Sequence, residues 1–415
     1  MIEMSDKAIR NRFLRLIKNW DFSELKKALT YTVFSFLGLL CTVPLILILW
    51  ILKPFFWLKL GMLKYSRIGH LSMNTDLFLR RRQLGIYPDG PYYCFVSHPD
   101  NPANRQLLNM WKRLLPIHES RILCYFFSGM LPILKRTPFH QELPLYNDEY
   151  HIFNNTKSSL YFTPDEIEKG RELLKQMNVD YQKNEFVCIF SRDNAYLKNY
   201  IPYNNWNYQN ARDSDIDSLI EATKYLIQKG YTVIRIGSVV SKPINFSHEK
   251  LIDYPYSEYQ SDFLDIFLVA NCKFVLSGGS SGLINVAFVF DKPLLIVNMA
   301  EFEYPPFGKN CLYTPKKYKY SKTGNYLRIE EAAKLGSVWI DPASYGLETE
   351  ETSPQEILEA TQEMIARLEN RFEESNESER LNQTYKKLWE GSGFCNSEAP
   401  VGVGWLKKNR ALYSS

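Results

Sequence analysis

From residue 185 to residue 298 the chain alternates short apolar runs with amphipathic stretches, and this alternation confines it to parallel βαβ units. Residues 185–190 (EFVCIF), 232–237 (TVIRIG), 273–277 (KFVLS) and 294–298 (LLIVN) read as strands. Each is apolar almost throughout, as expected of parallel strands covered on both faces. Residues 214–230 between the first two read as a helix, with Ser214 and Asp217 as a capping box and Gly230 as the left-handed stop. A shorter helix is expected over 261–272 and another over 283–290, the latter followed by the turn Asp291, Lys292, Pro293.

Residues 60–180 repeat the pattern less cleanly. MLKYS (62–66), YYCFVS (92–97) and RILCYFF (121–127) have the composition of strands, and 104–114 and 163–178 that of helices. Thr163, Pro164 and Glu166 supply a capping box with proline at the first helical position, and Ser353, Pro354 and Glu356 open a further helix in the same way.

Residues 31–52 run without a charge, and about 20 apolar residues suffice to cross a bilayer. Upstream, Arg10, Arg12, Arg15 and Lys18 stand among Ile9, Phe13, Leu16 and Ile17, a basic amphipathic pattern suited to an anionic membrane surface. The run starts too late and is too long for a cleaved signal peptide. Lys53, Lys59, Lys64 and Arg67 follow it, so both flanks are positive and charge bias does not orient it. Pro44 lacks an N–H, so a hairpin turning back inside the run fits as well as a straight span.

Charge over the whole chain is mixed: 50 Lys and Arg stand against 46 Asp and Glu, which gives no basis for nucleic-acid binding. The seven cysteines are scattered and include no C-x-x-C, so neither a disulfide framework nor a zinc site is expected.

The loop of Ser277, Gly278, Gly279, Ser280, Ser281 and Gly282 carries the strongest functional signal. Glycines between a buried strand and a helix let backbone N–H groups approach a phosphate, and the serines add donors. A plain glycine-rich turn is the bland reading. The same loop matches G-x-S-x-G with Ser280 as nucleophile, but a hydrolase triad needs a later histidine and none follows His248. A full G-x-G-x-x-G and a Walker loop are both missing, so dehydrogenase and kinase chemistry find no support. Arg192 follows a strand, where ligands of such sheets bind, and can pair with a diphosphate. Arg235 stands within an apolar strand and fits the same role; for both, an ion pair at a strand end, with Asp193 or Asp265, is the structural alternative. Asp213, Ser214, Asp215, Ile216 and Asp217 contain D-x-D, but acidic residues at a helix start are expected for dipole reasons, and no metal is expected. Arg67, Gly69 and His70 follow the first expected strand; His70 suits a general base or phosphate contact, although a lone histidine in such a loop is more often structural. His98 and Asp100 are weaker candidates of the same kind.

Residues 67–81, 104–115, 190–197, 211–240 and 261–283, in that order, resemble a family of bacterial glycosyltransferases associated with surface-polysaccharide biosynthesis. The resemblance covers roughly residues 60–340. It departs at Asn194, where the family has serine, and at Ala211, Arg212 and Asp213, where a Tyr-Arg-Asn type run is usual. It implies a GT-B fold of two Rossmann-like domains facing a cleft. The expected division is a basic segment at 1–30, a membrane segment at 31–58, an acceptor domain at 60–180, a nucleotide-sugar domain at 185–345 and C-terminal helices at 350–415. The implied activity is metal-independent transfer from a nucleotide-sugar donor to a glycan or lipid-linked acceptor, with no cofactor. Arg192, as a catalytic group, and Arg235, Ser277, Gly279, Ser280, Ser281 and Gly282 would serve the donor; Arg67, Gly69 and His70 would face the acceptor, His70 as a catalytic group. The expected location is the membrane, with the catalytic domains in the bacterial cytoplasm. A non-catalytic GT-B-like scaffold of a polysaccharide-assembly complex is the rival from another class.

Overall fold

A computed structural model of the protein describes residues 22–145, 149–180, 185–200, 206–301, 304–308, 310–335, 341–391 and 393–414. The basic pattern of Arg10, Arg12, Arg15 and Lys18 lies outside these residues. The chain divides into two α/β units, residues 1–145 and 146–415. The boundary precedes the one expected near 180, because the segment around Gly170 packs into the second unit, with the Phe267 ring filling the space that a side chain at Gly170 would need.

In the first unit, helix α1 (Phe22–Leu52) runs unbroken through Pro44, so the hairpin within this run is not formed. Strand β1 (Leu58–Met62), helix α2 (Ile68–Gln83), strand β2 (Tyr92–Ser97), helix α3 (Arg105–Leu114) and strand β3 (Ile117–Glu119) follow. The three strands form a parallel sheet in the order β1-β2-β3. β1 lies earlier than the MLKYS run because its outer edge is pinned: Leu60 N–H donates to the Phe139 carbonyl at 2.7 Å, and Gln141 N–H to the Leu60 carbonyl at 2.9 Å.

RILCYFF is not a strand. It opens helix α4 (Arg121–Leu134), whose N-cap Ser120 accepts from Leu123 N–H. α4 lacks a polar face because α1 lies along it. The two backbones touch at glycines: a Cβ on Gly129 would sit 1.7 Å from the Ser35 carbonyl oxygen, and one on Gly38 2.0 Å from that of Phe126. Small residues permit such approach between apolar helices. Leu49 of α1 then joins Phe127, Met130, Leu134 and Phe139 in a common core.

The second unit is built on a six-stranded parallel sheet of β4 (Phe186–Phe190), β5 (Thr232–Arg235), β6 (Leu251–Asp253), β7 (Val275–Ser277), β8 (Leu294–Met299) and β9 (Cys311–Pro315). Its spatial order is β6-β5-β4-β7-β8-β9. By sequence rank this is 3-2-1-4-5-6, the order of the doubly wound dinucleotide-binding fold, which reverses direction between β4 and β7. Strand residues alternate between the two faces. Val187, Ile189, Val233, Leu276, Leu295 and Leu312 share a core with Ile216, Leu219 and Leu226, and with Ile357, Met364 and Ile365 of the helix Pro354–Leu368. On the other face the Cys188 thiol contacts the Leu268 carbonyl at 3.6 Å, in the helix Asp262–Asn271.

The capping boxes at Thr163 and Ser353 form as expected. The one at Ser214 does not. A 3₁₀ turn, Ile216–Leu219, precedes the helix Ile220–Gln228, and Asp215 caps it by accepting from Asp217 N–H. Ser214 is drawn instead to Asn298, whose side-chain amide donates to its hydroxyl at 3.1 Å.

Candidate functional site

Ligands of doubly wound sheets bind beyond the carboxyl ends of the strands, where the strand order reverses. Here that point lies between the loops after β4 and β7, and the sequence places Arg192 in one loop and Ser277, Gly279, Ser280, Ser281 and Gly282 in or beside the other.

The two loops touch. A Cβ on Gly278 would lie 2.8 Å from the Ser191 hydroxyl, and one on Gly279, at φ +152°, 2.5 Å from the Arg212 carbonyl. Only glycine permits both the dihedral and the approach. The Ser277 hydroxyl donates to the Gly279 carbonyl and fixes the turn. Among the described residues, the N–H groups of Gly279, Ser280, Ser281 and Gly282 have no protein acceptor. Such successive unpaired N–H groups make an anion-binding concavity. The helix that follows is short, Ile284–Val289, and starts two residues after the glycine loop, so these loop amides, not a long helix dipole, favour an anion.

Around the loop stand groups that sequence reading did not single out. Arg212 Nε donates to the Ser280 hydroxyl at 3.2 Å and pairs with Glu301 at 2.5 Å, while Ser280 donates to Glu301. Arg212 Nη1 donates to the Gln209 side-chain oxygen at 2.7 Å, and the Arg212 side chain stays partly exposed. Arg192 is buried: it pairs with Asp213 and donates to the Gln209 carbonyl at 3.0 Å. Burial, and after it the nearby Arg212, pull its pKa down to about 10, so it stays charged at neutral pH. Buried Lys316, just past β9, donates to the carbonyls of Ala211 at 3.1 Å and Asp213 at 2.6 Å. Arg192 and Lys316 thus both bind the segment 209–213, which carries Arg212. Arg212, Glu301 and Lys316 converge from separate segments, and their one sequence signal is a charge just past a buried strand or beside the D-x-D run.

The acidic run is also engaged. Asp213 pairs with Arg192, while Asp215 and Asp217 both reach Lys242 at 2.7 Å. Among the described residues no group of three or more His, Cys, Asp or Glu side chains gathers.

Arg235 is not brought to this cluster. It is buried between β5 and β6, donating to the Lys242 carbonyl at 2.8 Å and to Asp253 at 3.2 Å. Its partner is neither Asp193 nor Asp265. Asp193 accepts from Ser241 and from Ala195 N–H, and Asp265 accepts from the Tyr254 hydroxyl at 2.8 Å. Burial pushes the Asp265 pKa up to about 7, with Asp262 adding and the Tyr254 hydrogen bond opposing. The folded state therefore holds a proton that the unfolded chain releases near pH 4. The resulting stability is full below about pH 4 and is lost as pH rises towards about 7. Asp265→Asn is expected to raise the urea midpoint at pH 8 and to lose most of that advantage by pH 5. A gain that is the same at both pH values would contradict the assignment.

In the first unit, Arg67 is the N-cap of α2 in extended conformation, and Gly69 is buried in its first turn. His70 Nδ1 lies 2.9 Å from the Asn74 side-chain oxygen, and Asn74 in turn donates to the Pro144 carbonyl. Burial lowers the His70 pKa against the Asn74 hydrogen bond, and Lys64 and Arg67 lower it further, so the ring is neutral at pH 7. His98 stacks on Tyr65 at 5.6 Å and its Nδ1 accepts from Asp100 N–H at 3.2 Å. The carboxyl ends of β1 and β2 thus present two neutral imidazoles.

A cavity of about 670 Å³ opens elsewhere in the second unit, at the amino end of β9, lined by Asn310, Arg367, Glu374 and Lys386 among others. Arg367 there already pairs with Glu363 and Glu374. Size alone does not make it the site, because it lies at the opposite end of the strands from the unpaired loop amides.

No family model and no curated protein matches the chain. Among solved structures, it is similar to E. coli ADP-heptose lps heptosyltransferase II, with 14% identity and a TM-score of 0.42 over 75% of this chain and 100% of that one. E. coli heptosyltransferase WaaC with ADP follows at 12% identity and TM-score 0.27, over 62% of this chain and 94% of that one. The glycotransferase of kitacinnamycin has 10% identity and TM-score 0.30, over 76% of this chain and 93% of that one. At such distances no residue role passes from these proteins to this chain.

Proposed function

We propose that the protein is a membrane-associated glycosyltransferase of GT-B type that takes its sugar from a nucleotide-sugar donor. The carrying observation is the run of unpaired N–H groups at Gly279, Ser280, Ser281 and Gly282, beside the partly exposed Arg212 at the strand-order reversal. A diphosphate fits this arrangement, since amides satisfy its oxygens and the partly exposed Arg212 side chain beside them adds positive charge. Developing charge on the leaving nucleoside diphosphate is stabilised by the same donors, without a bound metal. Arg192 acts as a positioning residue, holding residues 209–213 so that Arg212 faces the loop. Ser277 shapes the turn, and Arg235 serves the sheet. The acceptor, a glycan or lipid-linked sugar, is assigned to the first unit near Arg67, Gly69 and His70, with neutral His70 able to accept a proton. The sequence resemblance supports the reaction class, and the 28-residue apolar stretch Leu25–Leu52 supports the membrane location.

The test is thermal stabilisation of the whole chain by a panel of nucleoside diphosphates and nucleotide sugars, with and without EDTA. A ligand at a hundredfold over its Kd adds about 2.7 kcal/mol. One nucleotide standing out, unchanged by EDTA, is the expected result. No shift with any of them would favour the scaffold reading instead.

A further inference from the structure

We propose that α1 lies in the plane of the membrane as a monotopic anchor, its outer side in the hydrocarbon and its inner side on the first unit, with both ends on one side of the bilayer. This rests on the membrane reading above and assigns its geometry.

The inner side is a continuous stripe. Phe34, Ser35, Gly38, Thr42, Leu45, Ile46 and Leu49 are buried or half-buried, recurring every three or four residues as one face of a helix does. Contact with the unit is present at Tyr31, edge-on to Tyr125 at 5.2 Å, and at Trp50, edge-on to Phe139 at 5.3 Å. At ~1.5 Å rise per residue this attachment is about 28 Å long, close to the ~30 Å hydrocarbon thickness.

A helix fixed to a folded body over that length cannot cross the bilayer alone. The body would enter the hydrocarbon with it, carrying α4 and the edge of a sheet. Arg121 at one end of α4 pairs with Asp100, and Lys135 and Arg136 stand at the other. Charged ends and irregular backbone do not face lipid. Lying flat removes the conflict. The outer side of α1 is apolar along its length, with Val33, Phe36, Leu40, Val43, Leu47 and Ile51 exposed. A free interfacial helix keeps a polar face towards water; α1 has none because the first unit occupies that place.

Both ends carry interfacial groups. Lys26 and Lys27 stand near the start. Past the other end, the Lys53 ammonium sits over the rings of Trp50 and Trp57 at 4.8 and 4.9 Å, and Phe55 is 90% exposed. Lysines with aromatic rings are the composition of an anionic headgroup layer's partner. Tyr125, packed on Tyr31, also meets His98 at 5.9 Å. The strand ends of the first unit therefore open beside α1, at the depth where the head of a lipid-carried acceptor lies.

The experiment places single cysteines at the two ends, Lys27→Cys and Phe55→Cys, in the full chain bound to preformed phosphatidylcholine vesicles containing phosphatidylglycerol. A membrane-impermeant maleimide is added outside, and labelling is read by peptide mapping, which separates the new sites from native cysteines. The expected result is equal labelling of both sites, with no gain when detergent opens the vesicles. Protection of either site until detergent is added overturns the in-plane geometry and leaves membrane association intact. A chain that fails to float with the vesicles overturns both.

Discussion

Arg212→Ala is expected to weaken binding of the preferred nucleoside diphosphate by about 30- to 150-fold, since a charge-assisted contact of this kind contributes roughly 2–3 kcal/mol. The Arg212 side chain is partly exposed and donates to Ser280 in the glycine loop. The same change leaves Glu301, which is buried, with the Ser280 hydroxyl, so some stability is lost as well. Arg212→Lys separates the two effects. It keeps the charge opposite Glu301 but loses the planar fork, so melting is nearly unchanged while affinity still falls about tenfold. Arg192→Met should show the converse. It removes a buried guanidinium from a partly buried pair with Asp213 and from the Gln209 carbonyl, and should unfold the second unit at lower urea before affinity can be compared at equal fold. Isothermal titration and urea unfolding of the three variants, side by side, check this. Arg212 variants that bind as tightly as the parent would remove the exposed guanidinium from the donor site.

Gly129→Val is expected to destabilise the first unit by about 3 kcal/mol or more, the upper range for overpacking. Even Gly129→Ala should lose stability, although helix propensity alone favours alanine by about 1 kcal/mol. The reason is geometric: the added Cβ meets the Ser35 carbonyl at 1.7 Å, which is backbone and cannot rotate away. α1 and α4 must separate, and the core shared by Leu49, Phe127 and Met130 opens with them. Hydrogen–deuterium exchange of peptides from α1 and α4 reads the first unit directly. Unchanged or raised protection in the alanine variant would mean that α1 does not pack on α4.

Strands β4, β5, β7 and β8 of the second unit were legible in the sequence because they are covered on both faces, so each reads as an unbroken apolar run; β6 and β9, at the two edges of the sheet, were not expected. Thr163 and Ser353 announced their helices correctly for the same local reason: a capping box needs only four residues. Ser214 has the same pattern, but its hydroxyl is claimed by Asn298 and Glu351, which are remote in sequence. RILCYFF misled because a helix enclosed by a sheet and by α1 shows no polar face, and periodicity is then silent. At the site, the glycine loop and Arg192 were readable from their places after strands. The contacts of Arg192 and Lys316 to residues 209–213, and the pairing of Arg212 with Glu301, were not, since long-range contacts leave no spacing rule. Arg235 looked functional for the same reason: Asp253, its partner, lies on the neighbouring strand.

The most direct test of the account is photo-crosslinking of the whole chain with an azido nucleoside diphosphate bearing the base preferred in the stabilisation panel, followed by peptide mapping. The account predicts crosslinks in peptides covering residues 191–214 and 277–283, suppressed by excess unlabelled nucleotide and reduced in Arg212→Ala. Crosslinks confined to the cavity lined by Asn310, Arg367 and Lys386, equally competed by unlabelled nucleotide, would contradict it and move the nucleotide to the other end of the sheet.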